Sequence, residues 1–306
     1  RYSTYRRICR IVSSSEPLLV RFARDYGWRA YAIPALVVIT LWVLVDVFIM
    51  PDNGAISSQM QAASTANDGG ENATSQPEGP DPAKADRGAQ LPVGDLPPGG
   101  SFTETGQGTY HLVPGTMPKV GAGDERTFKY VIEVEDGVDT SVYGGDDSFA
   151  KMVDATLSNP KSWTHDRKFA FERVDPAVVS NPDLRIQLSS PAATHAACGS
   201  DIAMETSCFT SEGNRVVLNE SRWVRGATTF QGDLGLYRQY LINHEVGHSI
   251  GYAKHEPCGG QGQLAPVMMQ QTLNLNNSEL YKIDPGEVYP DNNLTCSLNP
   301  WPYPFA

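Results

Sequence analysis

The residues best suited to chemistry lie in one short stretch, Asn243–Gly251, which reads NHEVGHSIG and is followed closely by His255. Two histidines four residues apart, His244 and His248, project from one face of a helix, so both imidazoles can reach a single metal ion. Glu245 follows the first histidine and can hold a water beside that ion without binding the ion itself, which suits a general base. The pattern predicts a zinc hydrolase with three histidine ligands.

A helix must carry this motif, and the preceding residues predict one. Asp233 is a candidate N-cap, because its carboxylate can accept a hydrogen bond from a free N–H of the first turn. Gly251 can adopt the positive φ that ends a helix and turns the chain back. Between them, apolar and histidine side chains recur at helical spacing: Leu234, Tyr237, Leu241, His244 and His248. A buried amphipathic helix with hydrogen-bonded histidines is the alternative. It does not explain why two histidines, a glutamate, a helix-ending glycine and a further histidine occur together.

The order of these residues resembles the metzincin pattern HExxHxxGxxH. That spacing places the third ligand at Lys254, whereas this chain has a histidine one residue later, His255. A lysine amine is normally protonated and binds zinc poorly, so His255 is the predicted ligand. The extra residue adds at most ~3.6 Å of chain, which a bulge after Gly251 could absorb.

The N-terminal part of the chain predicts a membrane anchor. Residues 1–29 contain seven arginines against two acidic residues, although the whole chain has a net charge of -11. Ala30–Met50 is a mostly apolar run of 21 residues, long enough to cross a bilayer as a helix. No small-residue cleavage site follows it, which favours a signal anchor. The arginines predict a single-pass protein of the cell membrane, with a cytoplasmic arm and an extracytoplasmic C-terminal part.

Composition divides the remainder into a linker and a domain. Residues 51–101 include no aromatic side chain, which predicts a disordered extracytoplasmic stalk. Residues 102–306 then form one domain, whose acidic balance argues against nucleic acid as a partner. Patterning within the domain predicts a helix at Asp147–Leu157 and four strands: Arg126–Glu135, Phe169–Val174, Leu184–Leu188 and Arg215–Leu218. The expected fold is α+β, with a mixed sheet and an active-site helix.

Four of the five cysteines follow the apolar run: Cys198, Cys208, Cys258 and Cys296. An even number suits disulfides in an oxidising compartment. Three pairings exist, and we favour Cys198–Cys208 with Cys258–Cys296, because the second would link the chain after the metal motif to the C-terminal tail. A zinc site made from these cysteines is the alternative, but they lack a close C-x-x-C spacing.

Beyond His255 the sequence predicts mostly loop, and this loop contains two adjacent methionines that could lie beneath the metal site. Met268 and Met269 lie in the run APVMMQ. A methionine in a tight turn beneath the zinc is the second mark of metzincins, and either residue could supply that apolar floor. Ordinary core methionines are the alternative.

Several stretches together resemble an uncharacterised family of actinobacterial membrane-anchored or secreted proteins with a metzincin-like zinc-peptidase signature. They are FKYVIEVEDG, YRQYLINHEVGH, HEPCGG, APVMMQQT and CSLNPWP, and the resemblance covers most of residues 102–301. It implies a zinc-peptidase-like fold with the three histidines as ligands of one Zn²⁺ ion and Glu245 as the base. Aligned on HEPC, His255 is the family's third histidine, with one residue inserted near Ala253 or Lys254.

The implied reaction is hydrolysis of peptide (amide) bonds by a water that the metal activates. Peptides, proteins and cell-wall peptides all fit as substrates. A tyrosine could stabilise the oxyanion, and the candidates are Tyr252, Tyr281 and Tyr289.

Two other classes of function stay open. A catalytically inactive binding or scaffold domain at the cell surface could keep the fold and the zinc without turnover. A different HExxH hydrolase could use a carboxylate as its third ligand, with Glu256, Glu279 and Asp284 as candidates.

Overall fold

The structure of the chain is a computed structural model that describes residues 36–41, 91–199 and 204–306. The chain divides into two units, Arg1–Glu78 and Gly79–Ala306, and the described part of the first unit is helical. The rest of the predicted membrane span, the N-terminal arm and most of the predicted stalk lie outside the described residues. Within the described ranges, no helix combines the length and the apolar character needed to cross a membrane.

The second unit is built on one mixed sheet of seven strands. The strands are β1 (Tyr110–Leu112), β2 (Met117–Val120), β3 (Arg126–Glu135), β4 (Phe169–Arg173), β5 (Leu184–Ser189), β6 (Cys208–Thr210) and β7 (Arg215–Asn219). Their order is β2-β4-β3-β5-β7-β6, and β1 pairs with the end of β3. The strands β4, β3, β5 and β7 are parallel, whereas β1, β2 and β6 pair antiparallel to their neighbours. The predicted mixed sheet is confirmed, and it agrees with the α+β class.

Among the described residues of the second unit, five α-helices accompany the sheet. They are α1 (Gly145–Leu157), α2 (Pro191–Cys198), α3 (Glu220–Arg225), α4 (Leu234–Ser249) and α5 (Asn277–Ile283). Three short 3₁₀ helices lie at Thr140–Tyr143, Trp163–His165 and Thr228–Phe230. The predicted helix at 147–157 and the motif helix are therefore confirmed as α1 and α4.

The main core lies between one face of the sheet and the helices α1 and α4. Alternate residues of β3 point to this side, so Tyr130, Ile132 and Val134 are fully buried there. Phe149 of α1 and Leu241 of α4 belong to the same cluster. Burial of each such large apolar side chain contributes about 1.5–3 kcal/mol relative to exposure. This packing fixes α4, and with it the metal motif, against the sheet.

The chain after α4 has a second, smaller core. Its buried members are Cys258, Ala265, Met269, Leu273, Leu280, Tyr289 and Cys296. A disulfide joins Cys258 to Cys296 within this cluster, and another joins Cys198 at the end of α2 to Cys208 at the start of β6. Both predicted pairings are confirmed.

Two arginines of α3 tie the chain before residue 102 to the domain. Arg222 is fully buried and donates a hydrogen bond to the Gly94 carbonyl, while Arg225 donates to the Gly100 carbonyl at 2.9 Å. A buried guanidinium needs acceptors for its N–H groups, and backbone carbonyls supply them. Residues that composition assigns to the stalk thus pack against the domain. Composition does not reveal this contact, because every residue carries a backbone carbonyl that can accept such a hydrogen bond.

Candidate metal centre

The metal motif occupies the last two turns of α4. The helix begins as predicted at Asp233, whose carboxylate accepts a hydrogen bond from the Leu236 N–H at 2.9 Å. The side chains of Tyr237 and Val246 are completely buried in the main core. The N-cap and this apolar contact together fix the motif helix against the main core.

A Schellman motif ends α4 and reverses the chain. Gly251 has a φ of +117°, as the sequence predicts. The Tyr252 N–H donates to the Gly247 carbonyl at 3.0 Å, and the Gly251 N–H donates to the His248 carbonyl at 3.3 Å. These two bonds satisfy carbonyls that the helix leaves free. The chain then runs back towards the histidines.

The reversed chain brings His255 to the two helical histidines. His244, His248 and His255 each offer a nitrogen within 4.8 Å of the others, and their ring centroids are 4.8–5.4 Å apart. Lys254, in contrast, is exposed. Two nitrogens bound to one tetrahedral zinc ion lie ~3.4 Å apart, so the rings need to close by ~1.4 Å at most.

The two helical histidines are each held through Nδ1 by a backbone carbonyl. Nδ1 of His244 lies 2.8 Å from the Val267 carbonyl oxygen, and Nδ1 of His248 lies 2.9 Å from the Tyr252 carbonyl oxygen. A carbonyl can only accept, so each Nδ1 must carry the proton of a neutral ring. That tautomer leaves the lone pair on Nε2, as a histidine ligand of a metal requires.

The ring nitrogens that face the centre of the histidine cluster indicate whether a metal ion fits there. Nε2 of His244 is buried and has no hydrogen-bond partner among the described residues. An unpaired buried polar atom costs about 1–3 kcal/mol, and coordination of a cation would remove that cost. Nδ1 of His255 lies 3.4 Å from Oε2 of Glu287, so this ring too has an outer partner. Three imidazoles form a donor set that suits zinc, and the residues present therefore fit the ion.

Burial and mutual proximity keep the helical imidazoles neutral. Burial, followed by the charges of His255 and His248, lowers the pKa of His244 well below its ordinary value. Burial and then the charge of His255 lower the pKa of His248 to about 4. A neutral imidazole has the lone pair that a metal ligand needs, so the site is ready for a cation at neutral pH.

Glu245 directly follows His244 in the sequence and is 3% exposed. Burial raises the pKa of its carboxyl to about 8. A cation at the three imidazoles would oppose this shift, because a nearby opposite charge favours the carboxylate. A carboxyl whose pKa lies near neutrality can accept a proton and later return it.

A turn at Pro266–Met269 forms the floor beneath α4, and the Met269 N–H closes it by donating to the Pro266 carbonyl at 3.0 Å. Met268 packs directly under the motif: a Cβ added at Gly247 would lie 2.5 Å from its Sδ. Met269 packs into the second core instead. Of the two candidate methionines, Met268 is the one that lies under the motif helix.

The three candidate tyrosines have different surroundings. The Tyr289 ring centroid lies 6.3 Å from that of His255, and its hydroxyl accepts a hydrogen bond from the Gln270 N–H at 2.8 Å. Tyr252 stacks on Trp163 with centroids 4.6 Å apart. Tyr281 is 37% exposed. The Tyr289 ring thus lies beside His255, but its hydroxyl already accepts a hydrogen bond from the backbone.

The carboxylates proposed as a third ligand are not part of the cluster. In the described ranges, the side chains that can share one ion around this site are the three histidines. Glu256, Glu279 and Asp284 are described residues and do not join that group. The geometry favours a site with three imidazoles.

Sequence patterns miss two residues that support the site. Asn243 accepts a hydrogen bond from the Ser162 hydroxyl at 2.7 Å and donates to the Pro300 carbonyl at 2.9 Å, which ties the C-terminal tail to α4. Its place directly before the motif is the only signal in the sequence. Glu287, the outer partner of His255, lies in a segment without periodicity.

Comparison with known proteins defines the family of this chain. The profile of a family described as "Protein of unknown function (DUF3152)" matches residues 96–304, about two thirds of the chain. The chain belongs to this family. No curated protein and no solved structure matches it significantly.

Proposed function

We propose that the chain is a zinc-dependent metallopeptidase with a metzincin-like fold, which hydrolyses peptide bonds. The observation that carries the proposal is the convergence of His244, His248 and His255 beside the buried Glu245. A structural zinc site is normally closed by four protein ligands, whereas a catalytic site keeps a position open. Three histidine ligands therefore favour catalysis over a purely structural role.

The chain's own residues suit the chemistry of hydrolysis. When bound, zinc would act as a Lewis acid, lowering the pKa of a water and polarising the scissile carbonyl. Glu245 is placed to orient that water, accept its proton and return the proton to the departing amine.

The edge of the sheet supports a peptide as the substrate. β6 is the last strand of the sheet and contacts α4, the helix that carries the motif. An extended peptide can add to a free strand edge through main-chain hydrogen bonds, largely independent of its sequence. Such a binding mode would place a peptide bond alongside the motif helix.

The disulfides support an extracytoplasmic location for this activity. Disulfides persist in oxidising compartments and are rare in the cytosol. We therefore place the domain outside the cell, anchored by the apolar run at 30–50. Protease treatment of intact cells should release the domain, and full protection of the domain would contradict this placement.

A comparison of cleavage by the wild type and Glu245→Gln tests the function. The variant should retain zinc, since Glu245 is not a ligand, and should lose roughly 10²–10⁴-fold in rate, since it lacks the base. The readout is a proteome-wide search for new peptide termini. Glu256→Gln is the matched control, because Glu256 is an exposed acid near the same site, and it should cleave like the wild type.

Two outcomes would contradict the proposal. If the zinc-loaded wild type produces no new termini, the chain is better explained as a zinc-containing binding or scaffold domain. If Glu245→Gln cleaves as fast as the wild type, the assigned base is wrong.

A further inference from the structure

The three predicted ligands differ in what holds their outer nitrogens. For the two helical histidines the partner is a backbone carbonyl, which the fold fixes. For His255 the partner is a side chain, the carboxylate of Glu287, at 3.4 Å from Nδ1. His255 also lies on a loop and not on α4. Its outer nitrogen therefore depends on a side chain and not on the backbone for its partner.

The segment that carries Glu287 is itself well anchored. The Glu287 N–H donates to the Asp284 carbonyl at 3.2 Å, and the Gly286 N–H donates to the Asp284 carboxylate at 2.8 Å, which forms a turn after α5. Two residues later, Tyr289 is buried and its ring stacks beside His255. One short segment thus contributes both a wall and a carboxylate to the third ligand.

We infer that Glu287 is the positioning residue of His255, an inference that rests on the proposed zinc site. The carboxylate lies 3.4 Å from Nδ1 of His255, so a small movement of either side chain brings the two groups to hydrogen-bond distance. There the carboxylate accepts the Nδ1 proton and leaves the lone pair of the ring on Nε2. It also makes the imidazole a stronger donor, because the negative charge stabilises a ring that gives electron density to a cation. A carboxylate–histidine–metal arrangement of this kind would hold the His255 ring in the orientation for metal binding, although His255 lies one residue later than in the metzincin pattern.

The chain offers a matched control for this role. Glu279 lies on α5, is partly exposed like Glu287, and pairs with Lys282 and not with a histidine. Glu279→Gln therefore removes the same charge from a similarly exposed position on α5. Glu287→Gln removes the charge but keeps an oxygen that can accept from Nδ1, whereas Glu287→Ala removes both.

The test measures zinc affinity by competition with a chelator, together with the visible absorption spectrum of the cobalt(II)-substituted protein. Loss of such a carboxylate typically weakens metal affinity 10–100-fold, so Glu287→Ala should bind zinc at least tenfold more weakly. Glu287→Gln should recover part of that loss. Glu279→Gln should stay within about twofold of the wild type. The cobalt spectrum should change for Glu287→Ala and not for Glu279→Gln, which separates a change at the metal from a general loss of stability.

Two results would overturn the inference. If the wild type binds zinc and Glu287→Ala matches Glu279→Gln in affinity and in cobalt spectrum, Glu287 does not position His255, and the zinc site stands without it. If the wild type binds no zinc, the proposed function and the role of Glu287 fall together.

Discussion

Replacement of Gly247 by alanine tests how closely α4 packs on its floor. A Cβ at this position would lie 2.5 Å from Sδ of Met268 and 2.8 Å from Cζ2 of Trp163. Both neighbours are buried, and the indole is fixed because its Nε1 donates to the Asn243 carbonyl at 2.8 Å. Overpacking of this kind costs roughly 1–3 kcal/mol.

The net effect also includes the intrinsic preference of the helix. Alanine is better than glycine in a helix interior by about 0.5–1 kcal/mol, so Gly247→Ala should lose roughly 1–2 kcal/mol of unfolding free energy. A domain of this size changes its Tm by about 2–4 °C per kcal/mol. Gly235, in the first turn of the same helix, is the control. It is exposed, and its Cβ would meet only the Asp233 carboxylate, at 3.2 Å, so Gly235→Ala should be neutral or slightly stabilising.

The assay is urea and thermal unfolding of the metal-free protein in the presence of a chelator, because bound metal adds its own stabilisation. Zinc affinity is measured separately and should fall for Gly247→Ala, since the added methyl displaces the helix turn between His244 and His248. Were Gly247→Ala at least as stable as the wild type while Gly235→Ala behaved as expected, Met268 would not lie beneath the motif.

Two further predictions concern stability. The double variant Cys258→Ser/Cys296→Ser opens a loop that spans 38 residues and should lose about 4 kcal/mol of unfolding free energy in urea; a loss below ~1 kcal/mol would contradict the role of this link in the second core. His111 lies 2.8 Å from Asp136 and 2.9 Å from Asp146. The hydrogen bond to Asp146 contributes most to raising the pKa of His111, and the hydrogen bond to Asp136 adds to it. The protonated ring therefore stabilises the fold below about pH 6.5, and this stabilisation is lost as the pH rises through the raised pKa of the folded state. His111→Asn should lower the free energy of unfolding at pH 6 and much less at pH 9. An equal loss at both pH values would refute the charge pair.

Much of the fold follows from local signals in the sequence. β3 matches its predicted range, Arg126–Glu135, because alternating β-branched and aromatic residues over ten positions are unambiguous. α4 carries an N-cap, helical periodicity and a terminal glycine, so its start and stop were both predictable. The three histidines were predictable for the same reason, since two share a helix face and the third follows a turn.

Other elements are missing from the prediction because tertiary contacts define them. β6 has only three residues and forms through pairing with β7. α5 has seven residues in a stretch without clear periodicity. α2 did carry a usable signal, since Ser190 caps it and Pro191 occupies its first turn. Glu287 reaches His255 only through the fold of the second core, and no local pattern marks it.

The metal content of the purified wild type and its variants tests most directly whether the three histidines hold one zinc ion. The wild type should contain about one zinc per chain, as expected for a three-imidazole site. His244→Ala and His248→Ala should abolish binding, and His255→Ala should weaken it strongly, while Lys254→Ala should leave it unchanged because that side chain is exposed and normally protonated. A wild type without zinc, or release of zinc by Lys254→Ala and not by His255→Ala, would contradict the proposed site.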